Sequence, residues 1–176
     1  MHIRIATRHD AEHVRNLLES TFGEDEGDAV GKLAADLMAE DTVPEILSLV
    51  AESDGAIVGY IAFSPVFIEG NDQFRGSILA PLGVTTARQK GGIGRALIED
   101  GLSRLSKMDV SVVFVYGDPG YYGRFGFSAD AADGYTAPYP LQYPFGWQAL
   151  VLSAPEPSDS PEAITCVESL SDPGLW

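Results

Sequence analysis

The stretch from Leu79 to Leu105, LAPLGVTTARQKGGIGRALIEDGLSRL, limits what this chain can fold into more than any other. Ile78-Leu79-Ala80-Pro81-Leu82-Gly83-Val84 is apolar and reads as a strand. Arg88-Gln89-Lys90-Gly91-Gly92-Ile93-Gly94 reads as a turn. Ile93, Leu97, Ile98, Leu102 and Leu105 then recur at helical spacing and predict one buried helix face. Three glycines at a helix start leave backbone N–H groups unobstructed. Those groups and the positive end of the helix dipole point the same way, which suits a pyrophosphate.

Two familiar phosphate loops do not fit. A Walker A loop ends in Gly-Lys-Ser/Thr, whereas Gly94 is followed by Arg95-Ala96. A dinucleotide fingerprint needs Gly or Ala at its sixth place, which counted from Gly92 is Leu97. It also opens a parallel sheet, and this turn lies mid-chain behind runs that read as antiparallel strands. A plain strand–helix connection accounts for one glycine, less readily for three beside the cationic Lys90 and Arg95.

Residues 2–7 alternate and predict an edge strand. Asp10 reads as the N-cap of a helix whose inner face is Val14, Leu17, Leu18 and Phe22. His9-Asp10-Ala11-Glu12-His13 matches an H-x-x-E-H zinc pattern. With Asp10 as cap, His9 falls outside the helix, and no later histidine exists to complete a site. The acidic run 23–28 reads as a turn before a second helix with Val30, Leu33, Leu37 and Met38 inward, and it lacks the order of a calcium loop. Asp54-Gly55 between alternating apolar runs is a hairpin signal. A third run, 74–84, completes an antiparallel meander. Pro81 removes a ladder donor from it, and Gly83 marks a bulge or a close approach.

Residues 110–116 (VSVVFVY) read as a strand buried on both faces, parallel to the strand before the helix. Pro119 can open a short helix carrying Tyr121 and Tyr122. Residues 134–145 read as an ordered Pro- and Tyr-rich loop, 145–152 as a strand, 153–162 as a Pro-rich connector and 163–167 as a last strand. A length of 176 residues suits a single domain, with a core over residues 3–153 and a C-terminal extension, 154–176. Leu175-Trp176, expected to be exposed, is a candidate homodimer contact.

A net charge of −15 argues against nucleic acid and against anionic membranes, and is compatible with a cationic acceptor. The single cysteine, Cys166, excludes an internal disulfide and a cysteine-based zinc site. No signal peptide or membrane span is visible, so the expected location is cytoplasmic. No metal is expected.

Gln89-x-x-Gly92-x-Gly94 after an apolar strand resembles the acetyl-CoA signature of the GNAT N-acetyltransferases. Gly117-Asp118-Pro119-Gly120-Tyr121-Tyr122-Gly123-Arg124-Phe125-Gly126-Phe127 resembles that family's Tyr-x-x-x-Gly-Phe motif. The resemblance implies a mixed, mostly antiparallel α/β sheet flanked by helices, with a splayed strand pair holding acetyl-CoA. It also implies direct attack of a primary amine on the thioester. The turn residues Gln89, Lys90, Gly91, Gly92, Ile93, Gly94 and Arg95 would hold the pyrophosphate, and backbone N–H groups at Leu82, Gly83 or Val84 would face the oxyanion. Tyr122 would protonate the leaving thiolate. The acidic residues Glu24, Asp25 and Glu26 would attract the amine, or stand as a solvated loop. Many family members carry Asn after the buried strand; here Asp118 either replaces its hydrogen bond to the cofactor or caps the short helix. A non-catalytic acyl-CoA sensor is the rival reading.

Overall fold

Asp54 and Gly55 both take positive φ, 53° and 77°, which is the geometry a two-residue hairpin requires. They join β2 (Leu47–Ser53) to β3 (Ala56–Ile68), antiparallel from Leu47↔Phe63 to Ser53↔Ala56, with a register shift at Ala51/Glu52. β1 (His2–Ile5) lies antiparallel on the other edge of β2. β4 (Gly76–Val84) follows β3 in the sheet. The computed structural model describes residues 1–155 and 158–176; residues 156 and 157 of the expected Pro-rich connector lie outside the described residues.

The chain divides into two compact units, Met1–Phe63 with Ala80–Arg104, and Ser64–Leu79 with Leu105–Trp176. The first holds β1, β2, most of β3, the end of β4, α1 (Ala11–Ala39) and nearly all of α2 (Ile93–Lys107). The acidic run 23–28 is not a loop. Only Gly23 leaves helical geometry, at φ 75° and ψ −170°, and residues 24–28 are helical. The chain nevertheless reverses there. A Cβ on Gly27 would stand 2.3 Å from the Glu19 carbonyl oxygen, and one on Gly31 would stand 3.0 Å from that of Arg15. In a straight helix those pairs would be roughly 12 and 24 Å apart. The inward stripe after the bend is therefore Gly27, Gly31, Ala34 and Leu37, whereas Val30, Leu33 and Met38 are half-buried. Leu18 and Phe22 of α1 pack on Gly83 of β4. Ile93, Leu97 and Gly101 of α2 pack on Gly59 and Phe63 of β3, and of the predicted helix face only Leu102 stays half-buried.

Asp10 stands at the N-cap of α1, as the sequence predicts, but its side chain makes no capping bond to that helix. It closes a capping box on a 3₁₀ turn, Arg8–Asp10, and accepts from the Thr7 N–H at 2.7 Å. Its carboxylate also takes a two-pronged bond from Arg4 at 2.7 and 2.9 Å, and Arg4 reaches Glu52 at 2.7 Å. The charge is drawn inward because β1 places a guanidinium beside the helix start. Arg4 in turn holds the Asp10 carboxyl well below the usual carboxylate range.

In the second unit, β5 (Val112–Tyr116) runs parallel to the start of β4, Gly76↔Val112 to Leu79↔Val115, and the ladder ends there, just before Ala80-Pro81. β7 (Trp147–Val151) is antiparallel to β5. Val112 to Val115 are at most 1% exposed, as a strand covered on both faces requires. β8 (Glu162–Cys166) pairs with the end of β3 and with β6 (Tyr135–Thr136). Phe114 stacks on Trp147 at 5.1 Å and meets Tyr135 edge-on at 4.9 Å. Trp176 is not a free terminus. Its ring lies parallel to Tyr116 at 6.1 Å, near Trp147 and Tyr139, and its indole N–H donates to the Leu170 carbonyl. The ring expected to face a second copy is engaged within its own chain.

Candidate active site

The Gly-rich turn begins where β4 ends. A 3₁₀ turn, Thr86–Arg88, is held to the sheet edge by Arg88, which pairs with Asp54 of the hairpin at 3.0 Å. The Gln89 carboxamide folds back and donates to the Val84 carbonyl at 3.1 Å. Its side chain therefore braces the turn against the strand. Lys90 and Gly92 take positive φ, 62° and 84°. This double reversal sends the chain into α2, whose first helical bond runs from the Ala96 N–H to the Gly92 carbonyl.

The N–H groups of Ile93, Gly94 and Arg95 precede that bond and have no partner inside the helix. A Cβ on Gly92 would meet nothing within 4 Å, so open space lies before the turn. Gly91 is there for a different reason: its Cβ would stand 3.2 Å from the Arg88 carbonyl oxygen. Arg95 leans along the helix to Glu99 at 2.8 Å, and Lys90 has no ion-pair partner among the described residues. Exposed amides, an unopposed helix dipole and a free ammonium are the donor set that a pyrophosphate fits.

Leu82, Gly83 and Val84 end β4 in the same unit. Gly83 is shaped by packing: a Cβ there would stand 2.3 Å from Leu18 Cδ2. The Val84 carbonyl accepts from Gln89, and Thr21 of α1 also approaches it at 3.4 Å.

Asp118 and Tyr122 belong to the second unit, on α3 (Pro119–Tyr122). Asp118 caps that helix, its Oδ1 accepting from the Gly120 N–H at 2.9 Å. The Tyr122 ring meets Tyr121 edge-on at 5.0 Å and Phe127 at 5.9 Å. Its edge also lies close to Gly117, where a Cβ would come within 2.6 Å of Tyr122 Cε2. Burial, then Tyr121 and Asp118, push the Tyr122 phenol well above the ordinary tyrosine value, so it carries its proton at neutral pH. Tyr121 is occupied by packing, with Phe125 at 5.6 Å and the Arg124 guanidinium 4.7 Å over its ring.

Gln148 went unnoticed in the sequence. It is 1% exposed, and its carboxamide donates to the carbonyls of Gly117 at 3.1 Å and Gly146 at 3.3 Å. Its only signal was a lone carboxamide in the apolar run FGWQALVL. His9 and His13 are exposed, and among the described residues no group of three or more His, Cys, Asp or Glu is placed to hold a metal. Burial pushes the Cys166 thiol up to about 12, which disfavours its thiolate form. Among the described residues no helix is long and apolar enough to cross a membrane.

Residues 2–129 match the profile of the GNAT acetyltransferase domain. The chain is 39% identical over 133 residues to the uncharacterized N-acetyltransferase YhbS of Escherichia coli (strain K12), covering 74% of this chain and 75% of that one. The crystal structure of E. coli YhbS in complex with CoA superposes with a TM-score of 0.82 at 30% identity, covering 96% of this chain and 90% of that one. A GNAT family acetyltransferase from Brucella melitensis in complex with acetyl-CoA gives 0.75 at 32% identity, covering 96% of each chain. The sheet, the helix that follows its Gly-rich turn and these likenesses agree: the chain belongs to the GNAT family of acetyltransferases.

Proposed function

We propose that this acyltransferase moves an acetyl group from acetyl-CoA to a primary amine by direct attack on the thioester, and that the whole chain works as one such domain in the cytoplasm. The observation that carries the reading is the start of α2, where three backbone N–H groups have no partner inside the helix and the space beside Gly92 is open, next to Lys90. The E. coli and Brucella relatives, described with CoA and acetyl-CoA, support the same donor.

Gly91 to Arg95 hold the pyrophosphate through backbone N–H groups, with Lys90 adding charge. Gln89 fixes the turn rather than touching the ligand, because its carboxamide is already committed to Val84. When bound, acetyl-CoA supplies an activated carbonyl and a thiolate leaving group. A backbone N–H at Leu82, Gly83 or Val84 donates to the carbonyl oxygen as charge develops there. Asp118 serves as helix cap. Tyr122 delivers its phenolic proton to the sulfur as the C–S bond breaks, and its raised pKa keeps that proton available. Glu24, Asp25 and Glu26, exposed on the helical turn after Gly23, draw the cationic amine toward the site.

Calorimetric titration with acetyl-CoA, followed by a thiol-release assay over a panel of amines, tests this. Binding, with release that depends on one amine class, is expected. In Tyr122→Phe, release falls about 100-fold or more with acetyl-CoA affinity unchanged. Absence of binding in the folded wild type defeats the assignment.

A further inference from the structure

The loop that carries Tyr122 is held by a residue far from it in sequence. Gly117 and Gly146 lie side by side: the Gly117 N–H donates to the Gly146 carbonyl at 3.0 Å, and a Cβ on Gly146 would stand 3.0 Å from the Gly117 carbonyl oxygen. The Gly117 and Gly146 carbonyls both lie within reach of one side-chain donor. Gln148 supplies that donor from β7, one strand pair away, with Nε2 reaching both oxygens. Its register partner in β5 is Val115, so both its backbone and its side chain tie β7 to the end of β5. The next link is steric, because the edge of the Tyr122 ring lies against Gly117.

We propose that Gln148 is a positioning residue for Tyr122: by clamping the Gly117 and Gly146 carbonyls it sets the plane of Gly117, and hence where the Tyr122 hydroxyl points. This rests on the assignment of Tyr122 as proton donor. A side chain nearly excluded from water has a costly amide to satisfy. An apolar residue of like size would fill the space with no such cost, so the carboxamide is retained for what it holds. Displacement of a reacting group by about 1 Å costs on the order of 100-fold in rate, so a small shift of Gly117 is enough to matter.

The test has an arm that does not depend on catalysis. Aromatic NMR signals of ring-labelled tyrosine report Tyr122, which sits edge-on to Tyr121 and Phe127, and Tyr60, fully buried in the other unit and bonded to Ser48. In Gln148→Leu the Tyr122 signals should move toward those of free tyrosine while those of Tyr60 hold. Unmoved Tyr122 signals overturn the proposal whatever the kinetics show. The second arm measures CoA release from saturating acetyl-CoA with hydroxylamine as the probe acceptor, the products being acetohydroxamate and CoA thiol. Gln148→Leu should lower the rate about tenfold with the KM for acetyl-CoA unchanged, and should lower it no further in a Tyr122→Phe background. Losses that multiply overturn the proposal, because Gln148 then acts other than through Tyr122. If the signals move but Tyr122→Phe releases CoA at the wild-type rate, the proton-donor assignment fails and the clamp stands. Gln148→Glu adds a pH signature: its carboxylate cannot donate to either carbonyl, so its activity should fall as pH rises through that side chain's titration.

Discussion

Gly83 stands at the end of β4, where the family resemblance suggests a role toward the cofactor and the structure shows a role in packing. Gly83→Ala separates the two. Its Cβ would stand 2.3 Å from Leu18 Cδ2, with Phe22 Cε2 at 3.5 Å and Leu17 Cδ2 at 3.7 Å. An ordinary contact needs about 3.5–4 Å, so Leu18 or the backbone of β4 must yield by more than about 1 Å. Leu18 is 0% exposed, so it cannot relieve the clash by turning out to solvent. Overpacking of this kind costs about 1–3 kcal/mol, which for a chain of this size lowers the Tm by roughly 2–12 °C. Thermal and urea unfolding followed by circular dichroism would measure it for Gly83→Ala, Leu18→Ala and the pair. Leu18→Ala alone opens a cavity and costs about 2–5 kcal/mol. The pair should lose less than the sum, by about 1 kcal/mol or more, because each change relieves the other. Acetyl-CoA affinity, measured well below the Tm, should be nearly that of the wild type. A Gly83→Ala variant that keeps its Tm but loses acetyl-CoA affinity would refute the packing argument and return the glycine to the cofactor.

Gly92 has a φ of 84°, a region that Asp and Asn both enter at similar backbone cost, so their difference isolates charge. Gly92→Asp should weaken acetyl-CoA binding at least about tenfold more than Gly92→Asn does by calorimetry, because only Asp faces the pyrophosphate with a carboxylate. The Arg4–Asp10 pair should make the fold sensitive to acid. Asp10 titrates lower in the folded state than in the unfolded one, so its stabilisation is complete above about pH 4 and is lost as pH falls below that. Asp10→Asn should cost about 1–3 kcal/mol at pH 7 and flatten the acid limb of a Tm-versus-pH curve. Trp176→Ala removes ring contacts with Tyr116, Trp147 and Tyr139 and should cost about 1–2 kcal/mol of stability in urea unfolding, whereas a ring that served only a second copy would leave a dilute monomer's stability unchanged.

Much of the fold was legible because its signals are local. The turn at Asp54-Gly55, the doubly buried strand at Val112–Tyr116 and the helix after Gly92 are each specified by residues within a few positions of one another. The departures from local pattern are tertiary in origin. Asp10 has the sequence context of a helix cap, but a guanidinium on β1 claims its carboxylate. The acidic run after Gly23 has the composition of a loop. It is nonetheless helical, because Gly27 and Gly31 let the two arms of α1 touch and one glycine suffices to reverse the chain. Trp176 reads as exposed in the sequence because the rings that contact it are distant along the chain. Its partners lie on β5, on β7 and in the loop between them.

The candidate site divides along the same line. The proposed phosphate-binding half is one continuous segment, Gly91 to Arg95 braced by Gln89, and it would act mainly through backbone N–H groups, so glycine spacing alone announces it. The proposed proton-donating half depends on where one phenol points. On our proposal that direction is set by Gly117 against the ring, by Gly146 bonded to Gly117 and by Gln148 bonded to both. Those residues span a gap of about thirty positions, which no periodicity can register. A relative could therefore keep the Tyr-x-x-x-Gly-Phe pattern intact and still lose the geometry if an apolar residue replaced Gln148. The expected consequence is a protein that binds acetyl-CoA as tightly as this one and releases CoA more slowly, with nothing in either motif to explain it.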